Sequence, residues 1–343
     1  MRFRPSLFGV FTACLVFCGS GTLNALPSPG FFWSEDRASL QFGGSFAYGQ
    51  VKEYVFSGNY LLSRLDWDAH NLFGARFGGA YKFESCIISA AFLLGIPGGC
   101  GILKDYDWAE TDAAGNYLYN GVPSHYSEHR NILKNSFRFD CDFLLPWVNG
   151  RRWRFDWIYG LTWQHYSFAG KDGFYQYPPT SAPITIEGPV ATYTTDAILP
   201  VMGLAYSRDM NNGFAFTSMV KLGIAGFQRG YDEHHLRKLD FIDYFIFLPY
   251  IELRQQFSLS LAERFDIEIA IFLLCYPRAP GLSYLKDLDT GNIFRLASRG
   301  GARAESIGAE INFHFMFEKK ESPETANDAY PLIEETEHFA PRE

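Results

Sequence analysis

Beyond its N-terminal segment this 343-residue chain has no apolar run of about 20 residues, which excludes helices that cross a membrane. The stretches Ala90 to Ile96 and Ile267 to Tyr276 are apolar but far too short to span in that form. Cysteine is sparse, with 6 in all, and outside the N-terminal segment only Cys86, Cys100, Cys141 and Cys275 remain. There is no CxxC pair and no zinc-type spacing, so a structural metal site is not indicated. Cys86 shares a face with Ile88 and Phe92, and Cys141 with Phe139 and Phe143, which points to scattered thiols in apolar surroundings. Basic charge is also in deficit. The formal net charge is −8, more negative still once Arg2 and Arg4 are removed, which argues against nucleic acid as a partner. Cationic peptides or proteins are the natural electrostatic match.

What the chain does have is aromatic residues, 17% of the total, with 33 Phe and 20 Tyr. Such a composition suits β-structure and membrane interfaces. The N-terminus has the form of a signal peptide over residues 1–25: Arg2 and Arg4, an apolar stretch from Leu7 to Phe17, then small residues before a cleavage point near Ala25. The mature protein is therefore expected outside the cytoplasm.

The dominant pattern is long alternation. From Leu65 to Phe83 the odd positions Leu65, Trp67, Ala69, Phe73, Ala75, Phe77, Tyr81 and Phe83 are apolar, while Asp66, Asp68, His70, Arg76 and Lys82 stand opposite. A helix would scramble this order, and at ~3.3 Å per residue the segment spans roughly 60 Å, longer than an ordinary strand. Similar series run through Leu40, Phe42, Phe46 and Tyr48; through Phe137, Phe139, Cys141 and Phe143; and from Trp153 to Trp163. They continue through Phe241, Phe245, Phe247, Ile251 and Leu253, and from Ile307 to Phe317. Apolar outside and ionisable inside is the pattern of a transmembrane β-barrel. Short turns at 146–152, 209–213 and 263–264 alternate with long polar connections at 98–133, 169–190, 226–236 and 278–295. The reading is an all-β, ten-stranded antiparallel transmembrane β-barrel with long extracellular loops. Its strands fall near 38–56, 61–83, 85–97, 132–145, 152–168, 190–208, 214–227, 236–261, 265–278 and 296–317. An even count puts both termini on the periplasmic side. The barrel domain is 26–317, and the charged, aperiodic segment 318–343 reads as a disordered periplasmic tail. By parity His70 and His314 point inward, and Trp33, Trp67, Trp147, Trp153 and Trp163 read as girdle or lipid-face residues.

Two acidic motifs stand out, Asp105-Tyr106-Asp107-Trp108 and Asp232-Glu233-His234. Each sets ionisable side chains at i and i+2, on one face of an extended segment. On this strand plan both lie in long loops on the outer rim. Alone, an Asp-x-Asp is usually a solvated turn and an Asp-Glu-His is usually surface charge. Together, across one cleft, they suffice to hold and activate a water.

With Ser63-Arg64-Leu65-Asp66-Trp67, Ser127-Glu128-His129 and Tyr166-Ser167-Phe168, these motifs make the chain resemble the omptin family, outer-membrane aspartate–histidine proteases of Gram-negative bacteria. The resemblance covers about Leu40 to Phe317. It implies an endopeptidase of the bacterial outer membrane with its active site outside and no metal. In this reading Asp105 and Asp107 hold the attacking water, His234 is the general base and Asp232 orients His234. It also implies cleavage beside basic residues, with Glu53 as a substrate-binding acid. The family's second acid of that pocket would stand two residues before Asp232, where this chain has Gly230; Asp112 or Glu128 are candidate substitutes. Omptins bind lipopolysaccharide through outward basic, acidic and aromatic residues. Here the stretch reads Leu161-Thr162-Trp163-Gln164-His165, without the Glu and Arg, which puts dependence on lipopolysaccharide in doubt. Outer-membrane lipids and extracellular cationic peptides or proteins are the implied partners. The alternative readings are a catalytically inactive barrel serving as an adhesin or structural protein, and a small pore.

Overall fold

The structure is a computed structural model that describes residues 37–57, 60–83, 85–108, 116, 119, 121–210 and 213–318. The signal-peptide segment, Trp33, Asp112, the Asn211-Asn212 turn and the tail beyond Glu318 lie outside the described residues.

The described residues form a single antiparallel sheet. Its strands are β1 (Arg37–Ser57), β2 (Tyr60–Lys82), β3 (Ile87–Gly95), β4 (Gly98–Asp107), β5 (His125–Asn149) and β6 (Trp153–Gln176), then β7 (Ile184–Asp209), β8 (Phe214–His234), β9 (Leu239–Ala262), β10 (Phe265–Asp287) and β11 (Ile293–Glu318). β3 and β4 are two halves of one ring position: both pair with β2 on one side and β5 on the other. β1 pairs with both β2 and β11, so the sheet closes into a ring of ten positions with no free edge. Closure is what a lipid environment demands, because an unpaired backbone group there has no water to bond.

The strand positions follow the alternation, but most strands run further than it indicates. β5 starts at His125 rather than near 132, β6 continues to Gln176, β8 to His234 and β10 to Asp287. β7 has 26 residues, whereas a tilted strand needs only about 9–11 to cross a bilayer. About half or more of each long strand therefore stands outside the lipid. There neither face needs an apolar stripe, and Gly and Pro are tolerated, so the sequence looks like loop while the backbone remains in the ladder. The long connections expected at 98–133, 169–190, 226–236 and 278–295 are thus largely sheet.

Within the lipid-crossing half the expected facing holds. Phe42, Phe77, Phe92 and Ile311 are exposed outward, and Trp147, Trp153 and Trp163 are exposed with them. The lumen at this level is packed with ion pairs. Arg138 reaches Asp140 at 2.8 Å and Glu252 at 2.7 Å; Arg254 reaches Glu310 at 2.6 Å; Lys221 reaches Asp142 at 2.5 Å. His314 faces the lumen beside Glu268, at 3.5 Å.

Towards the end remote from Arg37 and Glu318 the facing changes. The β1–β2 register slips between Ala47 and Gly49, where Asn71 adopts a left-handed φ of 54°. One extra residue reverses the side every later side chain takes. Trp67 is consequently fully buried inside rather than a girdle residue, with Leu65 and Ala69 beside it. His70 lies on the outer face rather than inside, stacked on the exposed ring of Tyr48 at 4.0 Å. β9 reverses in the same way near Phe247 (φ 64°), so Phe245 is buried inside while Ile246 and Phe247 are exposed. The register of β8 shifts between Gly223 and Gly226.

The lumen ion pairs are strongly interdependent. Arg138→Met is expected to leave Asp140 and Glu252 short of their cation and to destabilise the barrel by about 3–5 kcal/mol, read as a lower urea midpoint for unfolding from micelles.

Candidate active site

The two acidic motifs sit on strands, not in loops. Asp105 and Asp107 are at the end of β4, and Asp232 and His234 at the end of β8. The strand ladder sets their neighbours: Leu65 and Ser127 flank Asp105, while Tyr193 and Phe241 flank Asp232. The register places Glu53 of β1 beside Leu65 of β2, so that only β2 lies between Glu53 and Asp105. Beneath them lies an apolar floor built from residues on β1, β2, β4–β7. Trp67 is its centre, stacked against Phe168 at 6.1 Å and Tyr193 at 5.8 Å.

His234 Nε2 lies 2.6 Å from Asp232 Oδ2, which leaves Nδ1 facing away from the carboxylate. Both side chains are buried. The ring of Phe241 packs edge-on against the imidazole at 5.1 Å and fixes its plane. Burial works against the imidazolium, but Asp232, by charge and hydrogen bond, and Asp105, by charge, outweigh it; the His234 pKa is raised above its ordinary 6.5.

Across the cleft, burial and the like charge of Asp107 push Asp105 up to about 7, against the pull of His234 and Arg237. Asp105 Oδ1 and Asp232 Oδ1 are buried without a hydrogen-bond partner. The β8–β9 turn supplies a residue the sequence reading did not single out. Arg237 Nη2 meets Asp107 Oδ2 at 3.1 Å, tying the turn to the end of β4. Ser124 Oγ donates to the Asp107 carbonyl at 3.0 Å, and Trp108 stacks on Tyr106. Ser127 and His129 form a buried pair at 2.8 Å beside Asp105.

Glu53 is buried and accepts a hydrogen bond from Trp67 Nε1 at 2.6 Å. Burial, then Asp232, Asp243 and Asp105, raise its pKa well above the ordinary 4.5, with only the Trp67 bond acting to lower it. Glu53, Asp105, Asp107, Asp232 and His234 are thus brought into one cleft. Glu128, a suggested substitute acid, is instead bound to the Tyr126 hydroxyl on a position alternate to Ser127 and His129. The stretch Leu161 to His165 leaves Trp163 exposed, and His165 bridges Asp196 at 2.8 Å and Asn135 at 2.7 Å.

The barrel and its rim cleft define a class, and comparison with known proteins names it. Residues 35–283 match the model of the omptin family. The chain belongs to the omptin family, and it is in general terms an outer-membrane protease. Among solved structures, the outer membrane protease OmpT from Escherichia coli superposes with a TM-score of 0.73 at 18% identity, covering 86% of this chain and 99% of that one. That likeness speaks for the fold. The outer membrane protein OprG from Pseudomonas aeruginosa aligns at 7% identity over 83% of this chain and 97% of that one, with a TM-score of 0.37, too low to carry an argument. No curated protein sequence matches the chain.

The Glu53 carboxyl is held above its unfolded pKa, so the stability it contributes is complete below pH 4.5 and is lost as pH rises through its folded value. Glu53→Gln keeps the acceptor for Trp67 and removes the buried charge. The variant is expected to melt higher than the parent at alkaline pH, the gap closing below pH 4.5, as followed by circular dichroism.

Proposed function

We propose that the chain is an endopeptidase that hydrolyses peptide bonds at the cell surface, beside basic residues. The observation that carries this reading is the buried Asp232–His234 pair, 2.6 Å apart and within electrostatic reach of Asp105 on the other wall. Asp105 and Asp107 hold the attacking water. With Nε2 committed to Asp232, His234 takes the water's proton at Nδ1, and Asp232 stabilises the imidazolium that forms. Asp105, pushed up to about 7, takes up a proton near neutral pH, which lessens its repulsion with Asp107. Water is the nucleophile, and the chemistry calls on no metal. Glu53, buried at the cleft base, gives up its proton to pair with an incoming basic substrate side chain. Membership of the omptin family supports an outward-facing site, since the peptide substrates lie outside the cell.

Refolded protein is expected to cleave a peptide with paired basic residues, and His234→Ala to lower kcat/KM by about 10²–10⁴-fold, with chelators and serine-directed inhibitors without effect. Equal inertness of parent and variant across a varied peptide library, with and without lipid, would favour the inactive barrel. His234 works as a base only when neutral. Activity should therefore fall as pH drops through its raised pKa, above 6.5. Arg237 holds both Asp105 and His234 down. Arg237→Ala is expected to move the acid limb of the pH–kcat/KM profile to higher pH; an unmoved limb rules out its electrostatic part in the site.

A further inference from the structure

Position 230 is bare, yet the space it leaves is not apolar. Directly across the ladder from Gly230, on β9, stands Asp243. A Cβ placed on Gly230 would lie 3.6 Å from the Cβ of Asp243 and 3.2 Å from the Tyr193 hydroxyl, so the two positions face the same side of the sheet and Tyr193 closes over Gly230. A second glycine, Gly300 on β11, gives Asp243 clearance from the other side: a Cβ there would sit 2.9 Å from Asp243 Oδ1 and 2.5 Å from Ser283 Oγ. Asp243 is more than nine-tenths buried, and its Oδ1 has no hydrogen-bond partner.

Its electrostatic surroundings are acidic. Asp243 and Asp232 both press on Glu53, and Asp232 presses on Asp243. Among the described residues, no ion pair joins Asp243 or Glu53 to a cation. Asp232 is already committed to His234. A buried carboxylate with an orphaned oxygen is costly unless a partner arrives. Burial, with Asp232 adding and the Ser283 hydroxyl opposing, holds Asp243 up at about 6, where an incoming cation recovers the charged form at little cost.

We propose that Asp243 is a specificity-determining residue of this site: from the neighbouring strand, opposite Gly230, it joins Glu53 as an anionic partner for the ammonium or guanidinium of a substrate side chain. This rests on the endopeptidase reading for its substrate, though the acid pair itself is a binding site that can be tested without turnover. The carboxylate has in effect moved one strand across the ladder. Occupying both 230 and 243 with acids would set two buried like charges within a few ångströms, so one glycine and one acid is the compatible combination.

The test uses two peptides of equal length that differ only in arginine or its neutral isostere citrulline at the tested position. Cleavage is measured for the full-length protein and for Asp243→Asn, and binding of the same labelled peptides is measured on the His234→Ala background. Loss of a charge-assisted contact worth about 1.5–3 kcal/mol corresponds to roughly 10- to 150-fold. Asp243→Asn is expected to lower the arginine-to-citrulline ratio of kcat/KM and of affinity by that factor, with circular dichroism showing that the variant folds. The double variant Gly230→Asp with Asp243→Gly is expected to restore the arginine preference. An arginine-to-citrulline ratio unchanged by Asp243→Asn in both assays overturns the proposal. Binding selectivity lost in Asp243→Asn, with no cleavage by the parent, would uphold the acid pair and sink the protease reading instead.

Discussion

Everything in this molecule depends on closing the backbone ladder. In lipid no water is available to an exposed N–H or C=O, so a strand with a free edge is not tolerated, and the register of β1 against both β2 and β11 is the condition for the rest. Once the ring is closed its interior is narrow. The charges facing inward must then neutralise one another, as Arg138, Arg254 and Lys221 do with Asp140, Glu252, Glu310 and Asp142. That mesh lies in the same half of the strands as the outward apolar band, while the cleft lies beyond it.

Beyond the lipid the ladder continues, and this is where function is built. The strands use their surplus length to raise two walls, and a small number of register slips decide what faces the space between them. At Asn71 one slip turns Trp67 inward to floor the cleft and to hold Glu53; near Phe247 another turns Asp243 and Phe245 the same way. Burial then does the chemical tuning. Asp105, Asp243 and Glu53 are held towards their neutral forms by burial and neighbouring acids, while Asp232 and Asp105 hold His234 towards its charged form against its own burial. The same arrangement that makes the site costly to bury makes it receptive to a cation.

The parts of the fold that were legible in the sequence are those where lipid imposes a rule. Leu40 to Tyr48, Phe137 to Phe143 and Ile307 to Phe317 face outward because an outward polar residue there would meet hydrocarbon. Strand ends leave no mark in the sequence where the rule lapses: His125 to Asn131 and Phe174 to Gln176 are strand without an apolar stripe. Parity counted unbroken through Asn71 puts Trp67 and His70 on the wrong faces. Asp243 left a trace, an acid set between Phe241 and Phe245 in an otherwise apolar series, but that trace has meaning only once β9 is known to turn these positions inward.

The sequence alone determined that the chain is a barrel, how many ring positions it has and which two motifs could carry hydrolysis, because period-2 alternation and i, i+2 spacing are local properties of an extended chain. Only the tertiary structure decided which acids share a cleft. That depends on how far each strand slides against its neighbour, and a slip of one residue, invisible in composition or spacing, moves a side chain from solvent to the site. By sequence Gly230 is a missing acid; across the ladder it stands directly opposite one, Asp243.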